Sequence, residues 1–233
     1  MSNRVVAIIP AAGQGRRMGG AVPKQFLSLG GLPILVYSLR ILTSLPVIAE
    51  IVVLVPEADR QYCQTQIIDH YGFGPAVRVV DGGPRRQDSV GRGLAAIREV
   101  PDFVLVHDGV RPFLTRMMVE RVLRAARDTG AAVAGIPMND TVKRVSPQGT
   151  VVETLNREEL WIIQTPQVFR YEWLEEGHRL AVAQGWEVTD DAALIERIGH
   201  PIRVVLGSPH NVKITTPEDL ALGEALLRFT EHV

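Results

Sequence analysis

As far as residue 138 the chain is punctuated by near-continuous apolar runs: RVVAIIPA (4–11), EIVVLVP (50–56), VRVV (77–80), DFVLVHD (102–108) and AAVAGIPM (131–138). Unbroken blocks of aliphatic and β-branched residues mark strands covered on both faces, where a half-solvated strand would alternate. Between them, segments 32–45, 59–72, 87–100 and 115–130 carry apolar residues at helical spacing. This alternation predicts an α/β fold, a Rossmann-like, mainly parallel sheet with helices on both faces. Right-handed crossovers then bring the strand C-termini to one edge, where ligands of such folds bind. The loops PAAGQGRRMGG, DGGPRRQDS and HDGVRPF each follow one of these strands and are expected to meet there.

After residue 138 the rhythm changes. Segment 139–160 holds two short alternating runs, TVKRV and TVVETL, around a Ser-Pro-Gln-Gly turn. It reads as a β-hairpin too small to hold its own core, hence an arm that a partner covers. The α/β pattern resumes with WIIQTPQVF, a helix at 171–184 and a shorter one in DDAALIERIG, and IRVVLG and NVKITT read as closing strands. A last helix starts with Thr216 as N-cap, Pro217 at the first helical position, and Glu218 and Asp219 in the first turn. With no repeat or low-complexity linker, residues 1–233 read as a single domain with 139–160 as its arm.

Composition narrows the possible partners. Net charge is −1 and the pI about 6.6, so no global field draws nucleic acid or an anionic membrane, and any anion must meet a local cluster. The single cysteine, Cys63, excludes an internal disulfide framework and a multi-cysteine zinc site. The N-terminal apolar run is too short for a signal peptide, and no segment reaches the roughly 20 apolar residues of a membrane span. A cytoplasmic protein is expected.

The loop after the first strand holds Gly13, Gly15, Arg16, Arg17 and Lys24. Glycines let backbone N–H groups approach an anion, so a phosphate cradle is the first reading. The Walker pattern fails for want of Gly-Lys-Ser/Thr. The dinucleotide fingerprint begins at Gly13 and Gly15 but meets Met18 at its third glycine, and the next acidic residue is only Glu50. What remains is a loop with two well-spaced cations suited to a polyphosphate. Asp108, just past a buried run, could hold Mg²⁺ or a ribose hydroxyl, and Arg111 could fork onto phosphate or close a turn with it. Lys213 lies between Val212 and Ile214 and calls for an anion, either a ligand or a neighbouring carboxylate.

PAAGQGRRMG followed by PKQF resembles the signature of nucleotidyltransferases that join a polyol phosphate to a nucleoside triphosphate. Together with HDGVRPF, DGGPRRQDSV, NDTVKR, QTPQVF and NVKITT, the whole chain is similar to the 2-C-methyl-D-erythritol 4-phosphate cytidylyltransferases of the non-mevalonate isoprenoid pathway. That resemblance implies a homodimeric enzyme converting CTP and methylerythritol phosphate to CDP-methylerythritol and pyrophosphate with Mg²⁺. It implies Arg17 and Lys24 on the triphosphate, Lys213 between α-phosphate and acceptor, and CTP contacts from Pro10, Ala11, Ala12, Gly13, Gly83, Ser89, Asp108 and Gly109. Arg111, Thr141, Arg157 and Thr165 would serve the acceptor, Thr141 and Arg157 reaching it across the dimer, and Asp108 would be the metal contact. Two departures are visible: Val110 stands where the family has a small residue, and Pro84 where some relatives have an acidic one.

The remaining candidates read as structural. His107 is expected to be a buried support, Arg85 and Arg86 to face solvent, and Asp190 and Asp191 to sit at a helix N-terminus. No GxSxG, HExxH or DFG string supports an esterase, zinc protease or kinase. The competing readings are a ribitol 5-phosphate cytidylyltransferase, a non-catalytic nucleotide binder and a dehydrogenase.

Overall fold

The computed structural model describes residues 4–13 and 23–230. Its centre is a seven-stranded sheet in the order β11-β7-β10-β6-β1-β4-β5. The strands are β1 (Val5–Pro10), β4 (Ile48–Val55), β5 (Val77–Asp81), β6 (Phe103–Val106), β7 (Ala131–Pro137), β10 (Trp161–Arg170) and β11 (Arg203–Leu206). β1 lies parallel between β4 and β6, with Ile8 opposite both Val52 and Val106. Only β10 runs antiparallel, against β6 and β7. The mainly parallel sheet read from the apolar runs is therefore present.

The pleat of β1 divides the core. Val5, Ala7 and Ile9 join the apolar layer under α1 (Ile34–Thr43) and α4 (Arg116–Thr129), while Val6 and Ile8 join the layer that includes Val90 of α3 (Arg86–Ala95), Leu174 of α5 (Tyr171–Gln184) and Ile195 of α6 (Ala192–Arg197). Both faces are covered, which is why β1 tolerates no polar position. The helix ends follow local chemistry: the Thr115 hydroxyl accepts from Met118 N at 3.2 Å, and Gly130 closes α4 at φ 89°. Thr216 and Asp219 form a reciprocal cap on α7 (Pro217–Thr230), Asp219 N donating to Thr216 Oγ1 at 3.3 Å and Thr216 N to Asp219 Oδ2 at 2.9 Å.

The arm is the expected hairpin, a separate pair of β8 (Lys143–Val145) and β9 (Val151–Thr154) with every strand residue exposed. The apolar Val145, Val151 and Val152 face solvent in the single chain.

Three features depart from the expectations. Residues 208–216, which contain NVKITT, form no strand. Ile214 N bonds Val110 O at 2.9 Å, and the Ile214 side chain enters a small satellite core with Leu29 and Ile34. Burial there satisfies the apolar alternation without a ladder. A two-residue pair, β2 (Ser28–Leu29) with β3 (Leu32–Pro33), was not anticipated. The 59–72 helix begins as α2 (Arg60–Tyr62) and continues as a π-helical turn, Cys63–Asp69.

Candidate active site

The described part of the first loop, Pro10–Gly13, meets the other two loops at the C-terminal edge of β1, β5 and β6, as their position after buried strands requires. After β1, Ala11 N still bonds Leu54 O at 2.7 Å, and Ala12 and Gly13 then line a cavity. After β5, Gly82 N bonds Val55 O at 2.7 Å. A side chain at Gly82 would collide with Ala12, and one at Gly83 with Asp88, so the double glycine lets two loops and a helix start share one corner. Ser89 sets the shape of this corner: its hydroxyl accepts from Gly83 N at 3.0 Å and lies 3.1 Å from Arg85 O. Lys24, Gln25, Gly83, Ser89, Asp108 and Lys213 complete the wall.

A second cavity is lined by Arg111, Gln164, Thr165, Gln167, Thr189 and Asp190. Arg86, Asp108 and Lys213 line both cavities and form the boundary between them. Asp108 is the hub. Its Oδ1 accepts from Arg86 Nε at 2.8 Å, its Oδ2 pairs with Lys213 Nζ at 2.7 Å, and Arg111 Nε stands 3.8 Å away. Burial alone would raise the Asp108 pKa, but Arg86 and Lys213 outweigh it and hold the carboxyl far below the usual range. Arg111, pulled down by its burial, is tied to Asn211 O at 2.7 Å.

Beneath the hub is a neutral support. Asp108 N donates to Thr165 Oγ1 at 3.0 Å, that hydroxyl lies 3.1 Å from His107 Nδ1, and His107 Nε2 lies 3.1 Å from Arg111 O. These contacts suit a His107 carrying its proton on Nε2 and accepting from Thr165 at Nδ1. Burial depresses the His107 pKa to about 4, so the ring is uncharged at neutral pH. Its reading as a buried support holds.

The other expected site residues are placed as follows. Pro10, Ala11, Ala12, Gly13, Lys24, Gly83, Ser89, Asp108 and Lys213 share the first cavity, and Arg111 and Thr165 line the second. Gly109 lies beneath the first cavity, where an added Cβ would come 3.0 Å from Ala11 and 3.1 Å from Ile9. Arg17 lies outside the described residues. Thr141 and Arg157 are exposed at the arm and line neither cavity, with Arg157 Nη1 bonded to Asn139 O at 2.7 Å.

One expectation is corrected. Arg86 does not face solvent: its side chain is 24% exposed and bridges Asp108 and Asp191, the latter at 2.7 Å. Arg85 meets the expectation, half exposed and paired with Asp88 and Glu187. The two arginines are indistinguishable in sequence, but Arg85 is the N-cap of α3 and Arg86 its first helical residue. Successive positions there point in different directions: both line the first cavity, but only Arg86 reaches the buried carboxylates. Both aspartates sit at the start of α6 as expected: Asp190 accepts from Ala193 N at 3.2 Å, and Asp191 takes the N-cap position, although its buried carboxylate turns to Arg86 and His178 instead of capping the helix.

Among the described residues no cluster of three or more His, Cys, Asp or Glu could cage a metal. Asp108 retains acceptor capacity, since each oxygen has one close partner, and a lone carboxylate beside bound phosphates is a usual protein share of a Mg²⁺ site. The donor chemistry fits the ion on those terms.

Comparison with known proteins narrows the reading. The family model described as IspD, 2-C-methyl-D-erythritol 4-phosphate cytidylyltransferase, matches residues 5–229. A protein of that name from Syntrophus aciditrophicus is 45% identical, with 99% of each chain covered, and one from Geotalea uraniireducens is 44% identical over 97% of each. Among solved structures, a 4-diphosphocytidyl-2C-methyl-D-erythritol synthase from Anaerococcus prevotii superposes with a TM-score of 0.86 at 31% identity, covering 98% of this chain and all of that one. The 2-C-methyl-D-erythritol 4-phosphate cytidylyltransferase from Thermus thermophilus gives 0.78 at 37% identity, covering 97% and 99%. With the family model matching residues 5–229 and relatives about 45% identical over nearly the whole length, this cation-rich double cavity has its place: the chain belongs to the 2-C-methyl-D-erythritol 4-phosphate cytidylyltransferase family.

Proposed function

We infer that the chain transfers a cytidylyl group from CTP to 2-C-methyl-D-erythritol 4-phosphate, releasing pyrophosphate, by in-line attack of the acceptor phosphate on the α-phosphorus. The observation that carries this reading is the Arg86–Asp108–Lys213 boundary shared by two cavities. A donor nucleotide on one side and an acceptor phosphate on the other would react across it. Lys213 Nζ stands at that junction and Lys24 along the nucleotide side, whose backbone comes from Pro10–Gly13 and Gly83.

The acceptor phosphate is already an anionic nucleophile at neutral pH, so no general base is needed, and His107 is buried and neutral. The obstacle is bringing two polyanions together, and the protein answers it with preorganised positive charge. Lys24 and Arg17 bind the triphosphate and the charge growing at the α-phosphorus, and Lys213 bridges the two phosphates. Arg111 and Thr165 shape the acceptor side. Asp108 would be the protein contact for Mg²⁺, which would supply further neutralisation of phosphate charge.

The chain works as a cytoplasmic homodimer in which the arm of one protomer carries Thr141 and Arg157 to the acceptor in the other. Two observations support this: neither residue lines the cavities of its own chain, and the arm's valines are exposed in isolation. No helix among the described residues is long and apolar enough to cross a membrane. The relatives named above all carry the methylerythritol description, which does not favour the ribitol alternative.

The test is pyrophosphate release with Mg²⁺ and CTP, run in parallel with methylerythritol phosphate and ribitol phosphate. Selective turnover of the first is expected. Turnover of ribitol phosphate alone would refute the acceptor assignment, and CTP binding without turnover of either would refute the enzyme.

A further inference from the structure

Asp108 is the anion on which the cations of the site converge, and one of them, Arg86, is anchored from outside both cavities. Arg86 spans two carboxylates, with Nε 2.8 Å from Asp108 Oδ1 and Nη1 2.7 Å from Asp191 Oδ2. Asp191 is held in turn by His178 of α5, whose Nε2 lies 3.1 Å from Asp191 Oδ1. The Asp191 side chain is 1% exposed and lines neither cavity. A carboxylate buried so far from a ligand is costly unless paired, and here its partner is the residue that grips Asp108.

The backbone that carries Asp191 is pinned as well. Neighbouring Asp190 accepts from Gln167 Nε2 of β10 at 2.8 Å and from Ala193 N at 3.2 Å. The chain of contacts His178–Asp191–Arg86–Asp108–Lys213 therefore ties α5, the start of α6, the start of α3 and the end of β6 to the lysine at the cavity boundary.

Lys213 has two claims on it. Without substrate it pairs with Asp108, and its side chain is 38% exposed toward the cavities. Its ammonium has three donors, and as it turns toward phosphate oxygens its hold on the buried Asp108 carboxylate is shared with them. Arg86 at 2.8 Å then carries its compensation, with Arg111 more distant at 3.8 Å. A planar guanidinium clamped at both ends can do this without moving, whereas an ammonium cannot reproduce the fork.

The geometry points to Arg86 and Asp191 as positioning residues of the transfer reaction: Asp191, braced by His178, fixes the Arg86 guanidinium, and Arg86 fixes and neutralises Asp108 so that Lys213 is held in place with donors turned to the reacting phosphates. This rests on the assignment of Asp108 and Lys213 to those phosphates. Asp191 acts only through Arg86.

The test is steady-state kinetics on Arg86→Lys, Arg86→Gln, Asp191→Asn, the Arg86→Gln/Asp191→Asn pair and Lys213→Ala, with CTP and acceptor varied independently well below each variant's Tm. Both Arg86 variants should lose about 10- to 100-fold in kcat, the scale of a misplaced reacting geometry. The CTP KM should stay within about threefold, because ground-state binding is left in place. Asp191→Asn should lose roughly fivefold or more alone and under about twofold in the Arg86→Gln background, since coupled residues are not additive. If Arg86→Gln does not fold, Arg86→Lys serves as the background. Variants with lowered Tm but unchanged kcat would reduce the network to a core ion pair and overturn the inference. A raised CTP KM at constant kcat would overturn it by making Arg86 a nucleotide ligand. Full kcat in Lys213→Ala would remove the underlying assignment itself, whatever the Arg86 variants do.

Discussion

Lys213 Nζ stands 2.7 Å from Asp108 Oδ2, joining the segment that follows β11 to the end of β6. The contact places a positive charge at the boundary of the two cavities and keeps it there before any phosphate arrives. A pair of this kind differs from a surface ion pair, because the Asp108 carboxylate is only 8% exposed and its partners decide its charge.

Lys213→Ala and Lys24→Ala should therefore each lower kcat by about 10²–10³, the usual consequence of losing one preorganised transition-state donor. Rapid-quench or pyrophosphate assays at saturating CTP and acceptor would measure it. A loss below threefold in both variants would remove the two lysines from the reacting centre.

Arg157 gives a test of the arm. Arg157→Ala should raise the acceptor KM more than the CTP KM. Co-expression of Arg157→Ala and Lys213→Ala chains should then recover activity that neither shows alone, since a mixed dimer contains one site with an intact arm and an intact lysine. Failure of the purified mixed dimer to recover would put Arg157 in its own chain's site, or in none.

His107 predicts a pH dependence of stability. Its folded pKa, about 4, lies below its ordinary value of 6.5, so the unfolded chain binds the extra proton first as pH falls. Stability is thus lost as pH falls from 6.5 through 4, by about 3 kcal/mol from this residue at ~1.4 kcal/mol per pH unit. Asp108 and Asp191, both held low, lose their stabilising charge only at more acidic pH. Urea titrations between pH 7 and 4 should show His107→Gln less stable at neutral pH but flatter across the window; an unchanged slope would refute the buried neutral ring.

Cys63 should be inert. The thiol is fully buried, and burial, reinforced by the Asp59 charge, pushes its pKa up to about 12. Iodoacetamide at pH 8 should label the unfolded chain and leave the native one unmodified after hours, as mass spectrometry would read directly. Labelling of the native protein at a free-thiol rate would show that the π-helical turn opens.

Most of the sheet and its binding edge are legible in the sequence, because their causes are local. Unbroken runs such as VVAIIP can only be strands covered on both faces, and glycines at 82 and 83 announce loops that must pass close to something. Thr115, Gly130 and Thr216 mark helix ends by the bonds that their own side chains or backbones permit. What the sequence leaves open depends on which distant group each side chain meets. Arg85 and Arg86 carry the same chemistry one position apart, yet the rotation of α3 sends one to solvent and the other between two carboxylates. NVKITT has the alternation of a strand, but a satellite core takes up Ile214 and leaves Lys213 beside Asp108 instead of in a ladder. Asp191 takes the N-cap position that its sequence suggests, but its carboxylate goes to Arg86 and to His178 of α5 instead of to the helix N–H groups. Local hydrogen bonding and apolar period, which act over a few residues, determine the elements and the loops; the pairing of buried charges acts between segments far apart in the chain, and only the packed sheet with both layers of helices decides it.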